Sequence, residues 1–63
     1  MIKLYAARDS NGRLWFFANR PSKEEHEWRV SKGDYWLQHS SLLPNVRWQD
    51  EKPTEITLKI VEE

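Results

Sequence analysis

The sequence predicts an all-β domain, mainly antiparallel, of about five short strands in a curled sheet or small open barrel, with at most a turn or two of helix. Three observations carry that expectation. Ile2 to Ala7 and Leu14 to Asn19 are two strand-like runs joined by Asp9-Ser10-Asn11-Gly12, which is a hairpin signal. The last segment, Thr54 to Ile60, alternates polar and apolar positions, the period of a strand covered on one side. The one helix-start signal, Ser22-Lys23-Glu24-Glu25, is followed by no helical apolar stripe, so it reads as a single turn at most.

Taken in order, the hairpin comes first. Asp9 at the first turn position and Gly12 at the last suit a type I turn closed by a glycine in the left-handed region. That turn pairs Asp9 with Arg13, Ala7 with Trp15, Ala6 with Phe16, Tyr5 with Phe17 and Leu4 with Ala18. A two-residue Asn11-Gly12 turn is the alternative; it slips one strand by a residue and sets Arg8 across from Trp15. Both faces of the ribbon are apolar, with Leu4, Ala6, Leu14, Phe16 and Ala18 on one and Tyr5, Ala7, Trp15 and Phe17 on the other. Such a ribbon must be covered twice, by the chain's own Trp28, Trp36 and Trp48 or by a partner.

Arg20-Pro21 ends the second strand, because proline cannot donate to the ladder. Glu27-Trp28-Arg29-Val30 alternates and is expected to form a third strand. Ser31-Lys32-Gly33-Asp34 is turn chemistry, after which Tyr35-Trp36-Leu37-Gln38 is expected to return as a fourth strand of the same hairpin. Ser40-Ser41-Leu42-Leu43-Pro44-Asn45 reads as a 3₁₀-type turn that drops two leucines onto the core before proline stops it. Val46-Arg47-Trp48 is a short extended piece and Asp50-Glu51-Lys52-Pro53 a solvated loop. In the final strand Ile56, Leu58 and Ile60 are expected to face inward, and Thr57 and Lys59 to face water.

A chain of 63 residues has room for one domain, spanning 1–63. Cysteine is absent, which excludes disulfides and Cys-ligated metal sites, and packing alone must hold the fold. No apolar run reaches the length of a membrane span, and the first residues lack the apolar stretch of a signal peptide, so no membrane association and a cytoplasmic location are expected. Lys and Arg balance Asp and Glu at ten each, which argues against a strong non-specific polyanion binder. The balance is uneven along the chain: residues 1–32 carry +3 and residues 33–63 carry −3.

Catalytic constellations are weak. His39-Ser40-Ser41 with Asp34 nearby in sequence lacks the strand, nucleophile and helix context of a hydrolase elbow, and turn formation is the simpler account. His26 among Glu24, Glu25 and Glu27 has no second histidine at ligand spacing. Paired carboxylates fall in polar loops or at the terminus, where nothing would raise a pKa for acid–base work. An enzyme, a cofactor and a metal are therefore not expected.

Two binding functions remain. Eight aromatics, four of them Trp, are mostly required for the core, but one or two can serve a surface; Trp and Tyr suit protein interfaces because they are large and have few torsions to freeze. Trp15, Phe17, Trp28, Tyr35 and Trp36 are the candidates for contact with an unknown protein partner or with a second copy, in the latter case by pairing of the hairpin or of the Ile56 strand. The alternative is nucleic acid, bound as small β-barrels bind single strands, with Arg8, Arg13, Arg20 and Arg29 flanking Trp15 and Phe17. Zero net charge disfavours it.

Leu4-Tyr5-Ala6-Ala7-Arg8-Asp9 with Asn11-Gly12, then Arg20-Pro21, Gly33-Asp34-Tyr35 and Leu43-Pro44-Asn45-Val46-Arg47-Trp48 with Pro53, together resemble short uncharacterised proteins encoded by gut bacteria and their prophages. Those proteins carry a similar Ala-Arg-Asp…Gly hairpin and Pro-x-Val-x-Trp segment. The resemblance covers most of the chain. It implies a bacterial or phage origin and an accessory role, and it assigns no activity to any residue.

Overall fold

In a computed structural model, which describes residues 2–58, the chain forms six short strands and, among those residues, no helix. They are β1 (Ile2–Arg8), β2 (Leu14–Phe17), β3 (Ser22–Lys23), β4 (Trp28–Arg29), β5 (Tyr35–Gln38) and β6 (Thr54–Leu58). Four of them make one antiparallel sheet in the order β5-β2-β1-β6, while β3 and β4 form a separate ribbon. The sheet stays open, with β5 and β6 as its edges. The all-β antiparallel expectation is met, without barrel closure.

The β1–β2 hairpin adopts the register that the Asp9–Gly12 turn predicts, with Tyr5 opposite Phe17, Ala6 opposite Phe16 and Ala7 opposite Trp15. Gly12 donates its N–H to Asp9 O at 3.0 Å, and Asp9 donates to Arg13 O at 2.9 Å. At φ 90° Gly12 occupies the region that glycine enters without steric cost,, and the slipped Asn11-Gly12 register is thereby excluded. β6 pairs with β1, setting Ile56 opposite Leu4 and Leu58 opposite Ile2. Of the inward set read from the alternation, Ile56 packs on the core and Leu58 is exposed; Lys59 and Ile60 lie outside the described residues.

The middle of the chain departs from the sequence reading in three places. First, the Ser22–Glu25 segment makes no helical turn. Ser22 and Lys23 are extended and pair with Arg29 and Trp28, because Lys23 is drawn toward the far loop, where its ammonium donates to Trp48 O at 2.6 Å and Asp50 O at 3.0 Å. Second, β4 and β5 are not a hairpin. Gly33 (φ 97°) reverses the chain, and Asn19 Nδ2 donates to Lys32 O, but the turn delivers β5 to the outer edge of β2, with Phe16 opposite Trp36 and Phe17 opposite Tyr35. Third, Leu42 and Leu43 are exposed rather than buried. The carbonyls of this loop point inward to the Arg8 guanidinium, which turns the leucine side chains outward, and Val46 takes the core place instead.

A candidate protein-interaction surface

Strand alternation and the observed registers place Tyr5, Ala7, Trp15 and Phe17 on one face of the sheet, together with Tyr35 and Leu37,. The chain covers most of this face itself. Ala7, Phe17 and Trp28 form a buried cluster, with Tyr5, Trp15, Val30 and Trp48 packed around it. Trp28 is fixed at both ends: its backbone N–H donates to Asp9 Oδ1 at 2.8 Å and its indole Nε1 donates to Arg8 O at 3.2 Å. Ser10 adds bonds from its N–H and its hydroxyl to His26 O. The Lys23 ammonium lies 4.3 Å from the Trp48 ring centroid and 5.8 Å from that of Trp28, a cation–π arrangement that joins the ribbon to the 46–50 loop.

Between ribbon and sheet a cleft of about 310 Å³ remains, lined by Trp15, Phe17, Trp28, Val30 and Tyr35 together with the polar Asp9, Glu27 and Arg29. Tyr35 meets Trp15 edge to face at 5.6 Å, within the range where aromatic pairs attract. Four of the five aromatic candidates, Trp15, Phe17, Trp28 and Tyr35, are thus brought together. Phe17 and Trp28 are core residues there, Trp15 is half-buried, and Tyr35 stands exposed at the mouth.

Trp36 lies on the opposite face, beside Phe16. That face has a smaller core of Ala6, Leu14 and Val46, with Phe16 and Ile56 packed against it. It is closed at one end by the 40–46 loop, which Arg8 holds. Arg8 Nε donates to Val46 O at 2.7 Å, and its two terminal nitrogens reach the carbonyls of Gly12, Ser40, Leu42 and Leu43. Beyond the loop Ile2, Trp36 and Leu58 remain exposed. The four Trp residues therefore do not act together: Trp28 and Trp48 cover the Trp15 face, and Trp36 cannot, because its register sets it on the other side.

Among the described residues the longest run of exposed large apolar side chains is in β5, where Tyr35, Trp36 and Leu37 are 58 %, 44 % and 54 % exposed. The direction of its backbone groups follows from the ladder. Ala18 donates to Asp34 O at 2.9 Å, so Ala18 and Asp34 are a hydrogen-bonded pair and, by alternation, so are Phe16 with Trp36 and Leu14 with Gln38. The N–H and C=O groups of Tyr35 and Leu37 consequently point away from β2, into the open edge. Sequence reasoning found Tyr35 and Trp36 but missed Leu37. The signal was present, since three consecutive large apolar residues in a strand cannot all face one core.

The arginines of the nucleic-acid alternative are dispersed in role. Arg8 is committed to backbone carbonyls, Arg29 pairs with Glu27 at 3.2 Å, and Arg13 and Arg20 are exposed. The possible catalytic group is local turn structure: His39 Nδ1 contacts Ser41 Oγ at 2.6 Å and accepts from Ser41 N–H. Asp34 and His39 flank β5 at its two ends, about 16 Å apart for an extended chain. His26 pairs with Glu25 at the surface. Among the described residues, no group of three or more His, Cys, Asp or Glu side chains is placed to hold a metal ion, and no helix is long and apolar enough to cross a membrane. No family model matches the sequence, and no curated protein and no solved structure shows significant similarity to it.

Proposed function

We propose that the chain is a non-enzymatic accessory protein, of bacterial or prophage origin and cytoplasmic, that binds another protein or its own copy through β5. The observation that carries this reading is the run of three exposed large apolar residues, Tyr35, Trp36 and Leu37, on a sheet edge. Exposed apolar patches of this kind, with an unpaired backbone beside them, favour strand addition: the main chain supplies affinity and the alternating side chains supply selectivity. Tyr35 extends the surface into the Trp15 cleft on one face, and Trp36 extends it toward Phe16 on the other. Nucleic acid has less support, because Arg8 is engaged with carbonyls and Trp15 and Phe17 lie largely under Trp28, Val30 and Trp48.

The test is photocrosslinking in cells that express the chain with benzophenone-alanine at position 37, or at position 52 as a solvated-loop control. Adducts to polypeptide that arise from position 37 and not from position 52 are expected. Equal yields from both positions, or none from position 37, overturn the reading.

A further inference from the structure

We infer that the partner of β5 is the β5 of a second copy, paired antiparallel with a two-fold axis passing beside Trp36. The inference rests on the reading just given and names its partner. Three features of the strand converge on it.

The hydrogen-bonding groups are self-complementary. Tyr35 and Leu37 both direct N–H and C=O outward, and they are two residues apart, so a two-fold axis at Trp36 sets Tyr35 opposite the partner's Leu37 as a hydrogen-bonded pair, and the symmetry repeats it. Other registers do worse. A shift by one residue brings the inward-facing groups of Trp36 or Gln38 to the interface. An axis at residue 35 or 37 leaves one hydrogen-bonded pair within the strand, Tyr35 with Tyr35 or Leu37 with Leu37, because the next pair would call on Gly33, whose φ of 97° is not extended, or on His39, beyond the end of the strand,. Only the axis at Trp36 places two hydrogen-bonded pairs within Tyr35–Gln38.

Charge favours the same pairing. β5 contains no Lys, Arg, His, Asp or Glu, so two copies meet without like-charge repulsion within the strand, whereas β6, the other edge, carries Glu55 in an ion pair with Lys3. The devices that normally guard an edge, Lys, Pro or a bulge, are also missing from β5,. The side chains then match: Tyr35 packs on the partner's Leu37 on one face. On the other, Trp36 meets the partner's Trp36 across a non-hydrogen-bonded pair, where Cα atoms lie about 4.5 Å apart. A four-residue edge covers less than the roughly 800 Å² per partner of a standard interface, so the dimer is weak and concentration-dependent.

The absence of cysteine makes the register directly testable. Single variants Tyr35→Cys, Trp36→Cys and Leu37→Cys are oxidised at high protein concentration and dimer is scored by non-reducing electrophoresis. Position 36 alone stands opposite its own copy at a distance a disulfide spans, so its dimer yield is expected to exceed that of positions 35 and 37 several-fold. Equal yields at the three positions overturn the register. Because loss of the Trp36 ring weakens the contact, sedimentation of the unmodified chain is run beside Leu37→Lys: the unmodified chain is expected to gain mass with concentration, and Leu37→Lys to remain monomeric with unchanged circular dichroism. If the unmodified chain stays monomeric while position 37 still photocrosslinks to other polypeptides, self-pairing is overturned and the interaction reading stands. If neither disulfide nor photo-adduct forms, both fall.

Discussion

Replacing Arg8 by Met keeps the aliphatic stem and removes the guanidinium that five backbone carbonyls share. Four of those contacts fall between 2.7 and 3.1 Å and the fifth is 3.4 Å. Hydrogen bonds from a charged donor are worth more than neutral ones, but this group is half-exposed, so about 0.5 kcal/mol for each of the four shorter bonds, or about 2 kcal/mol together, is the appropriate scale. Freeing the loop also releases Val46, which is 5 % exposed, and loss of its burial adds about 1–2 kcal/mol. The sum, about 3–4 kcal/mol, compares with about 3–9 kcal/mol of total stability for a domain of this length. At about 4–8 °C per kcal/mol, the midpoint of thermal unfolding should fall by at least about 12 °C. Arg8→Lys, a point charge unable to span the carbonyls, should lose about half as much. Circular dichroism melts give the midpoint, and amide exchange at Leu42 and Val46, whose N–H groups close the turns of this loop, reports whether the loss starts there. A drop of less than about 4 °C for Arg8→Met would refute the reasoning, since water would then serve the carbonyls as well as the guanidinium does.

Other perturbations separate neighbouring effects. Asp9→Ala leaves the buried Trp28 N–H without its acceptor and should cost about 1–3 kcal/mol in chemical denaturation, whereas Asp9→Asn, which retains a carbonyl oxygen there, should cost less than half of that; equal losses would remove the hydrogen bond as the cause. Gly12→Ala and Gly33→Ala both force an L-residue to positive φ, but only at Gly33 does a Cβ displace the Asn19 amide from its bond to Lys32 O, so Gly33→Ala should be the more destabilising by up to about 1 kcal/mol. Leu43 sits at φ 47°, and Leu43→Gly should be neutral or stabilising by up to about 1 kcal/mol, against the usual penalty for adding glycine; a clear loss in the denaturation midpoint counts against strain at this position. Titration with fluorescent single-stranded oligonucleotides at low salt is expected to give no binding; an affinity that weakens as salt rises would revive the Arg13 and Arg20 surface.

What was legible in the sequence was local. The Asp9–Gly12 turn fixes its own register, because a hydrogen bond and one positive φ are encoded within five residues, and the alternation of Thr54 to Leu58 announces a half-covered strand. Illegible were features that depend on a distant partner. Ser22-Lys23 resembles a helix start until Lys23 finds the carbonyls of Trp48 and Asp50. The leucines before Pro44 look like core until Arg8 draws their carbonyls inward. The two-faced hairpin did signal that two coverings are needed, but which Trp covers which side is decided by pairing: the β2–β5 register puts Trp36 with Phe16 and away from Trp15, and no pattern within Tyr35–Gln38 reveals that parity. The exposed edge followed from the same pairing.

The way Arg8 holds the 40–46 loop has an evolutionary corollary. A cation that grips main-chain oxygens is indifferent to the side chains of the residues that supply them, so positions 40 and 42 can change identity while the loop keeps its path, whereas position 43 stays restricted by its positive φ. Outward-facing and anchored, these two positions are suited to diversification: a library randomised at Ser40 and Leu42 should yield folded members at high frequency, whereas one randomised at Arg8 should not.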